Sequence, residues 1–238
     1  MSLLLVMEKK ILVIGGNSGI SKSLVRALSD DSFVVATSRT ETHIEYASQT
    51  LKFDASSPDQ LDLSSLEHLD GVVYCPGSIH LKPFKSFKIE DFQHDLQVNF
   101  LGAVSVIQKA LPLLLKSKAS PSIVFFSTVA AKIGMPYHAS IAASKSAIEG
   151  LSLSLSAELA PKVRVNTIAP SLTDTPLASA MINSETKLQA SKDRHPMKQI
   201  GNPDDIAEVA KWLLSERAKF ITGQVIQCDG GMSSIVKF

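Results

Sequence analysis

The residues able to do chemistry crowd into one stretch, TVAAKIGMPYHASIAASK, Thr128 to Lys145. It opens on a hydroxyl, Thr128, passes a phenol and an imidazole, Tyr137 and His138, and ends on an amine, Lys145. A phenol or imidazole can hand a proton to a substrate when a nearby cation lowers its pKa, and Lys145 is such a cation. His138 lies seven residues before Lys145, nearly in line with it on a helix of 3.6 residues per turn, and Tyr137 lies eight before. The competing reading of these two is a solvated pair in a loop ahead of a helix. Ile141, four residues before Lys145 and hence on its face of a helix, can neither donate nor accept a proton.

The surrounding elements place this stretch. The apolar run Ile123 to Phe126 reads as a buried strand, and Ser140 to Leu159 as a helix. A strand, a polar turn and a helix carrying one lysine is how doubly wound folds build a reactive site at the carboxyl edge of a sheet. Strands are expected at Lys10–Ile14, Phe33–Thr37, Thr50–Phe53, Gly71–Tyr74, Val163–Ile168 and Gly223–Cys228. Helices are expected after Gly19, over Pro58–Leu69, over Ile89–Leu115 with a break near Pro112, and over Asp204–Leu214. Pro203 suits the first turn of the last of these. The polar segment from Thr175 to about Lys192 has no clear period. The alternation predicts one α/β domain over residues 1–238, a doubly wound Rossmann fold with a seven-stranded parallel sheet and helices on both faces.

After the first strand comes Gly15-Gly16-Asn17-Ser18-Gly19-Ile20-Ser21. A strand followed by a glycine turn and a helix start presents backbone N–H groups to a pyrophosphate with little side-chain bulk in the way. An ordinary strand-to-helix turn is the alternative. The second strand ends in Thr37-Ser38-Arg39-Thr40, without the acidic residue that binds a ribose 2′-hydroxyl. The Arg39 guanidinium can grip a 2′-phosphate with two N–H groups, and Ser38 and Thr40 can add hydroxyls. NADP(H) is therefore preferred over NAD(H), against the plainer reading of Arg39 as a solvated side chain.

Together these motifs resemble the short-chain dehydrogenase/reductase family. The glycine turn is similar to the family's Gly-x-x-x-Gly-x-Gly, with Ser21 in place of the third glycine. The resemblance implies that Gly15, Asn17, Ser18, Gly19 and Ile20 cradle the cofactor and that Asp54 meets the adenine. It implies that Pro76-Gly77 line the cofactor cleft and that Asn99 of Val98-Asn99-Phe100 holds a water relay to the lysine. Pro170-Ser171-Leu172-Thr173-Asp174-Thr175-Pro176 resembles the run whose threonine meets the nicotinamide amide, with Ser171 in place of glycine. Ile221-Thr222-Gly223-Gln224 and Asp229-Gly230-Gly231 resemble the family's last strand and turn, so the likeness spans residues 11 to 231. Lys145 matches the lysine of Tyr-x-x-x-Lys, Ile141 stands where the tyrosine would be, and Thr128 replaces the serine.

The scaffold is thus complete except for the proton donor, and three readings follow. Tyr137 or His138 serves instead, so that NADPH reduces a carbonyl or an activated C=C bond; the family's enoyl reductases place a tyrosine where this chain has His138. Or the chain binds NADP(H) without ordinary catalysis, as a sensor or interaction protein. Or the intact Lys145 and Thr128 support slow, substrate-assisted turnover, since losing one positioned acid typically costs about 10²–10⁴ in rate.

Composition closes off other classes. With 24 basic and 23 acidic residues, neither nucleic acid nor a membrane surface is indicated, and no metal site is assigned. No run reaches the ~18 apolar residues of a span. The short apolar start Ser2–Met7 lacks the flanks of a signal peptide. Cys75 and Cys228 fit reduced thiols of a cytoplasmic protein. The long apolar helices at Asp91–Leu115 and Ser140–Leu159 match those that pair subunits in the family, which implies a homodimer or homotetramer. The segment at 175–195 is expected to cover a small-molecule substrate, with Met181, Ile182 and Leu188 on the pocket wall.

Overall fold

The computed structural model describes residues 8–40 and 43–236. The apolar start at Ser2–Met7 lies outside the described residues. Seven strands form one parallel sheet: β1 (Lys9–Ile14), β2 (Ser32–Ser38), β3 (Gln49–Lys52), β4 (Gly71–Tyr74), β5 (Ser122–Phe126), β6 (Arg164–Pro170) and β7 (Val225–Cys228). Their spatial order is β3-β2-β1-β4-β5-β6-β7. The chain winds outward from β1 to β3 and then returns to place β4 beside β1. That reversal opens a crevice at the carboxyl ends of β1 and β4, where ligands bind in such sheets.

Alternate residues of each strand feed opposite layers. Leu12, Ile14, Val72, Tyr74, Ile123 and Phe125 face α3 (Gly102–Leu114) and α4 (Ala139–Leu159), meeting Val106, Ala110, Leu114 and Ile148. Ile11, Val13, Val34, Val73, Val124 and Ile168 face α1 (Gly19–Leu28) and α6 (Pro203–Leu214), meeting Leu24, Val25, Ile206 and Leu213. Both faces are buried, which is why the strands read as continuous apolar runs.

Two expected elements come out differently. Pro58–Leu69 is not a helix; a 3-10 turn at Pro58–Gln60 runs into extended chain at Leu61. The Asp62 carboxylate accepts the Ser64 N–H at 2.9 Å, and local bonds of this kind compete with a helix. Lys109 of α3 takes up the carbonyls of Pro58, Asp59 and Leu61 at 3.3, 2.7 and 3.1 Å, so those groups need no helical partner. Leu61, Leu63, Leu66 and Leu69 still reach the core.

The long pattern from Ile89 breaks at a π turn, Gln97–Leu101, between α2 (Ile89–Leu96) and α3, and not near Pro112, which lies within the last turn of α3. The Tyr74 hydroxyl donates to the Val98 carbonyl at 2.6 Å inside that turn. A side chain at Gly102 would collide with the same hydroxyl. The widened turn carries Asn99, fully buried, toward the crevice. π turns of this kind often mark functional positions. The segment without a clear period holds a 3-10 helix, Pro176–Met181, and α5 (Glu185–Arg194).

Candidate active site

A cleft of about 1180 Å³ runs along the carboxyl edge of the sheet. The candidate catalytic and cofactor-binding residues line it: Gly15, Asn17, Ser18, Gly19, Ile20, Ser38, Arg39, Asp54, Pro76, Gly77, Asn99, Thr128, Tyr137, His138, Lys145, Pro170, Thr173 and Thr175. Ile141 lines it too, nearly buried.

The glycine turn is held from below. The Gly15 N–H donates to the Thr37 hydroxyl at 3.0 Å and the Gly16 N–H to the Thr37 carbonyl at 2.9 Å. Gly16 is the position that must lack a side chain, since a Cβ there would stand 2.9 Å from that of Ala36. Ser21, the replacement for the third glycine, fits without crowding. Its hydroxyl lies 2.5 Å from the Gly15 carbonyl and 2.7 Å from that of Ser18, pinning the turn to the first turn of α1. Ser18 caps α1 without a side-chain hydrogen bond, and the first turn has no acidic residue. The N–H groups of that turn therefore remain for an anion, which fits a dinucleotide pyrophosphate.

Arg39 is exposed at the end of β2 and lowers the pKa of Asp54 across the cleft, behind the larger effect of the Ser56 N–H and hydroxyl bonded to that carboxylate. The Ser38 hydroxyl is spent locally, donating to the Thr40 carbonyl at 3.0 Å and accepting the Thr40 N–H at 3.1 Å. It shapes the turn that carries Arg39.

Lys145 projects from α4 with 7% of its surface exposed. Burial pushes its ammonium down to about 8, against a smaller pull upward from Cys75 and Asp95. Ile141, one helical turn earlier, presents an aliphatic wall beside it. Thr128 follows β5 in extended backbone, and its oxygen accepts the Ala130 N–H at 3.3 Å. Neighbouring Ser127 donates to Glu149 at 2.5 Å, tying the end of β5 to α4.

α4 begins at Ala139, so helical phase does not place His138 or Tyr137 on the face of Lys145. His138 is the N-cap; its Nδ1 turns back to the Pro136 carbonyl at 2.7 Å while its own carbonyl accepts the Ala142 N–H. Tyr137 is 59% exposed at the mouth with φ of 71°. A left-handed backbone at an aromatic residue costs about 1–2 kcal/mol, and such strain gathers at functional sites.

Ser78, His80, Asp95 and His195 carry no sequence motif and lie beside residues that do. Asp95 is fully buried, accepting from the Ser78 hydroxyl at 2.6 Å and from His80 Nδ1 at 2.9 Å. Asn99 spends its side chain on the Ser78 backbone and hydroxyl. Ser171, at the end of β6, meets His195 Nε2 at 2.8 Å, and His195 Nδ1 donates to the Ser191 carbonyl at 2.7 Å, anchoring the end of α5 to the sheet. The spacing of Asp95 four residues before Asn99 in a helical pattern is the signal that could have found it. Of the expected pocket-wall residues Met181 lines the cleft, whereas Ile182 and Leu188 do not.

A parallel sheet with this strand order, a glycine turn after β1 and a lysine on the helix after β5 define a nucleotide-binding oxidoreductase fold. Residues 17–233 match the family model described as enoyl-(acyl carrier protein) reductase. A tropinone reductase homolog from Datura stramonium is 31% identical over 92% of this chain and 90% of its own. The ligand-free aldohexose dehydrogenase of Thermoplasma acidophilum superposes with a TM-score of 0.90 at 28% identity, covering 98% of this chain and 97% of that one. ElxO with NADP bound superposes with a TM-score of 0.87 at 26% identity, over 96% and 100%. The chain belongs to the short-chain dehydrogenase/reductase family.

Proposed function

We propose that this protein is an NADP(H)-dependent reductase of a small-molecule carbonyl or activated C=C bond, working without the family's phenol. The observation that carries this reading is the buried Lys145 on the wall of a cleft that also holds the glycine turn and Arg39. Bound NADPH would supply the hydride. Gly15, Asn17, Ser18, Gly19 and Ile20 would hold its pyrophosphate, Arg39 its 2′-phosphate, and Asp54 its adenine side. Pro76, Gly77, Pro170, Thr173 and Thr175 would flank the nicotinamide, with Lys145 on the adjoining ribose. Thr128 is placed to orient a substrate oxygen by its hydroxyl. Tyr137 and His138 stand at the mouth as the groups able to pass a proton inward. A nearly buried isoleucine at 141 favours a second reading, in which the chain binds NADP(H) as a sensor and turns it over poorly.

The 2′-phosphate grip is worth testing first. A charge-assisted hydrogen bond contributes about 1.5–3 kcal/mol, roughly ten- to a hundredfold in affinity. Fluorescence titration is expected to show NADPH binding tighter than NADH by that factor, and Arg39→Ala to abolish the difference. Equal binding by the unaltered protein refutes the assignment. NADPH consumption with ketones and enones then separates reductase from sensor. Self-association through the π turn with α3 and through α4 is part of the proposal, since Leu101 and Leu153 are 47% and 63% exposed there, and light scattering tests it.

A further inference from the structure

Lys145 brings a charge into the protein interior, and no oppositely charged side chain forms an ion pair with it among the described residues. Two groups oppose the effect of its burial, Cys75 and Asp95. The Cys75 thiol is itself pushed up to about 12 by burial, so it is neutral at physiological pH. That leaves the Asp95 carboxylate. It has no exposed surface; Oδ1 takes both the Ser78 and His80 hydrogen bonds, and Oδ2 is buried with no hydrogen-bond partner among the described residues. A carboxylate oxygen left unpaired in the interior is costly unless a positive field compensates it.

A hydrogen-bonded chain runs from Asp95 toward the lysine. The Asn99 amide donates to Ser78 Oγ at 3.2 Å, and Ser78 donates to Asp95 at 2.6 Å. Its Asn99 end and the lysine border the same space at Gly77: a Cβ there would lie 3.5 Å from Asn99 Oδ1 and 3.9 Å from Lys145 Nζ. On the other side His80, with 38% of its side chain exposed, ends the chain in solvent.

We propose that Asp95 is the buried counter-anion of Lys145, and that Ser78 and His80 form with it a positioning network tying the lysine's charge to solvent. The other charged groups nearby do not substitute for it. Lys82 and Asp91 neutralise each other at 2.6 Å outside His80, and His94 meets the His80 ring edge-on at 5.6 Å. Where the phenol is missing, the charge of Lys145 is the main electrostatic feature left on that wall, and Asp95 sets how far it persists above neutral pH. The inference deepens the reductase reading, which uses Lys145, but its test needs no turnover.

Competitive labelling with trace acetic anhydride over pH 5–10, with the Lys145 peptide quantified by mass spectrometry, reads the titration of this amine directly. Asp95→Asn keeps an acceptor for Ser78 and His80 and removes the charge. The Lys145 midpoint is expected to fall from about 8 by about one unit, since an adjacent opposite charge moves a pKa by roughly 1–3. Labelling at pH 7 then rises about fivefold, as the neutral fraction goes from about a tenth to about a half. His80→Ala, which keeps the Asp95 charge, is expected to leave the midpoint at or above the unaltered value. A folded Asp95→Asn protein with an unchanged midpoint overturns the proposal, as does a fall in His80→Ala matching that in Asp95→Asn. Should NADPH fail to bind at all, the reductase reading fails while this titration still decides the role of Asp95.

Discussion

Replacing Lys145 by Met, with Asp95→Asn in the same chain so that no buried carboxylate loses its counter-charge, should make the protein more stable at neutral pH and useless as a reductase. The lysine's pKa drops from the ordinary 10.5 to about 8 on folding, mainly through burial. That difference corresponds to about 3 kcal/mol by which the native state disfavours the ammonium. The cost is present in full below pH 8, where both folded and unfolded chains carry the proton. Between pH 8 and 10.5 the unfolded chain binds more protons than the native one, so stability rises with pH across that window. Methionine has similar length and no charge, so the variant escapes the cost. Urea unfolding followed by circular dichroism at pH 6, 7, 8 and 9 measures it. At pH 6–7 the variant is expected to exceed the unaltered protein by about 1–3 kcal/mol, with the margin shrinking as pH passes 8. A variant less stable at pH 7, or a margin that does not change with pH, refutes the reasoning. NADPH affinity should fall in the same variant, which would make Lys145 a residue kept for function at the expense of stability.

Three other outcomes follow from the same geometry. Ile141→Tyr restores a phenol one turn from Lys145 and should raise NADPH-dependent reduction of simple ketones by about 10²-fold or more; an unaltered protein that is already as fast would remove the view of Ile141 as a defect. Tyr137→Phe and His138→Phe, assayed on enals and enones, should each be compared with that baseline, and unchanged rates in both exclude them as substitute donors. Gly102→Ala forces its methyl against the Tyr74 hydroxyl and should destabilise the fold by about 1–3 kcal/mol in thermal unfolding, with Tyr74→Phe partly relieving it.

Some of the differences between expectation and structure have a shared cause. The break in the long helical pattern was expected at Pro112 because proline removes a donor, but α3 continues past it to Leu114. The actual break depends on the Tyr74 hydroxyl reaching Val98 from another strand, which no local pattern encodes. Pro58–Leu69 has leucines at near-helical spacing, yet Lys109, some fifty residues away, satisfies its carbonyls in an extended form. His138 looked in phase with Lys145 only while the helix was taken to include it; its ring turns back to Pro136 and the helix starts after it.

Short-range information was enough for the frame. Apolar runs of strand length, helices of period 3.6, and a glycine turn after the first strand specify a parallel doubly wound sheet, and the turn and Lys145 mark its carboxyl edge, because these features depend on neighbours within a few residues. That Gly15, Arg39, Asn99, Thr128 and Lys145 would share one cleft was legible for that reason, as was the absence of a phenol at 141. Tertiary structure alone set the electrical state of the site. The Asp95 carboxylate takes the Ser78 hydroxyl seventeen residues away, Ser171 finds His195 twenty-four residues away, and Ser127 finds Glu149 at twenty-two. Whether such groups lie in water or in the interior fixes their charge, and burial is a property of the packed layers that a linear string of residue types does not contain.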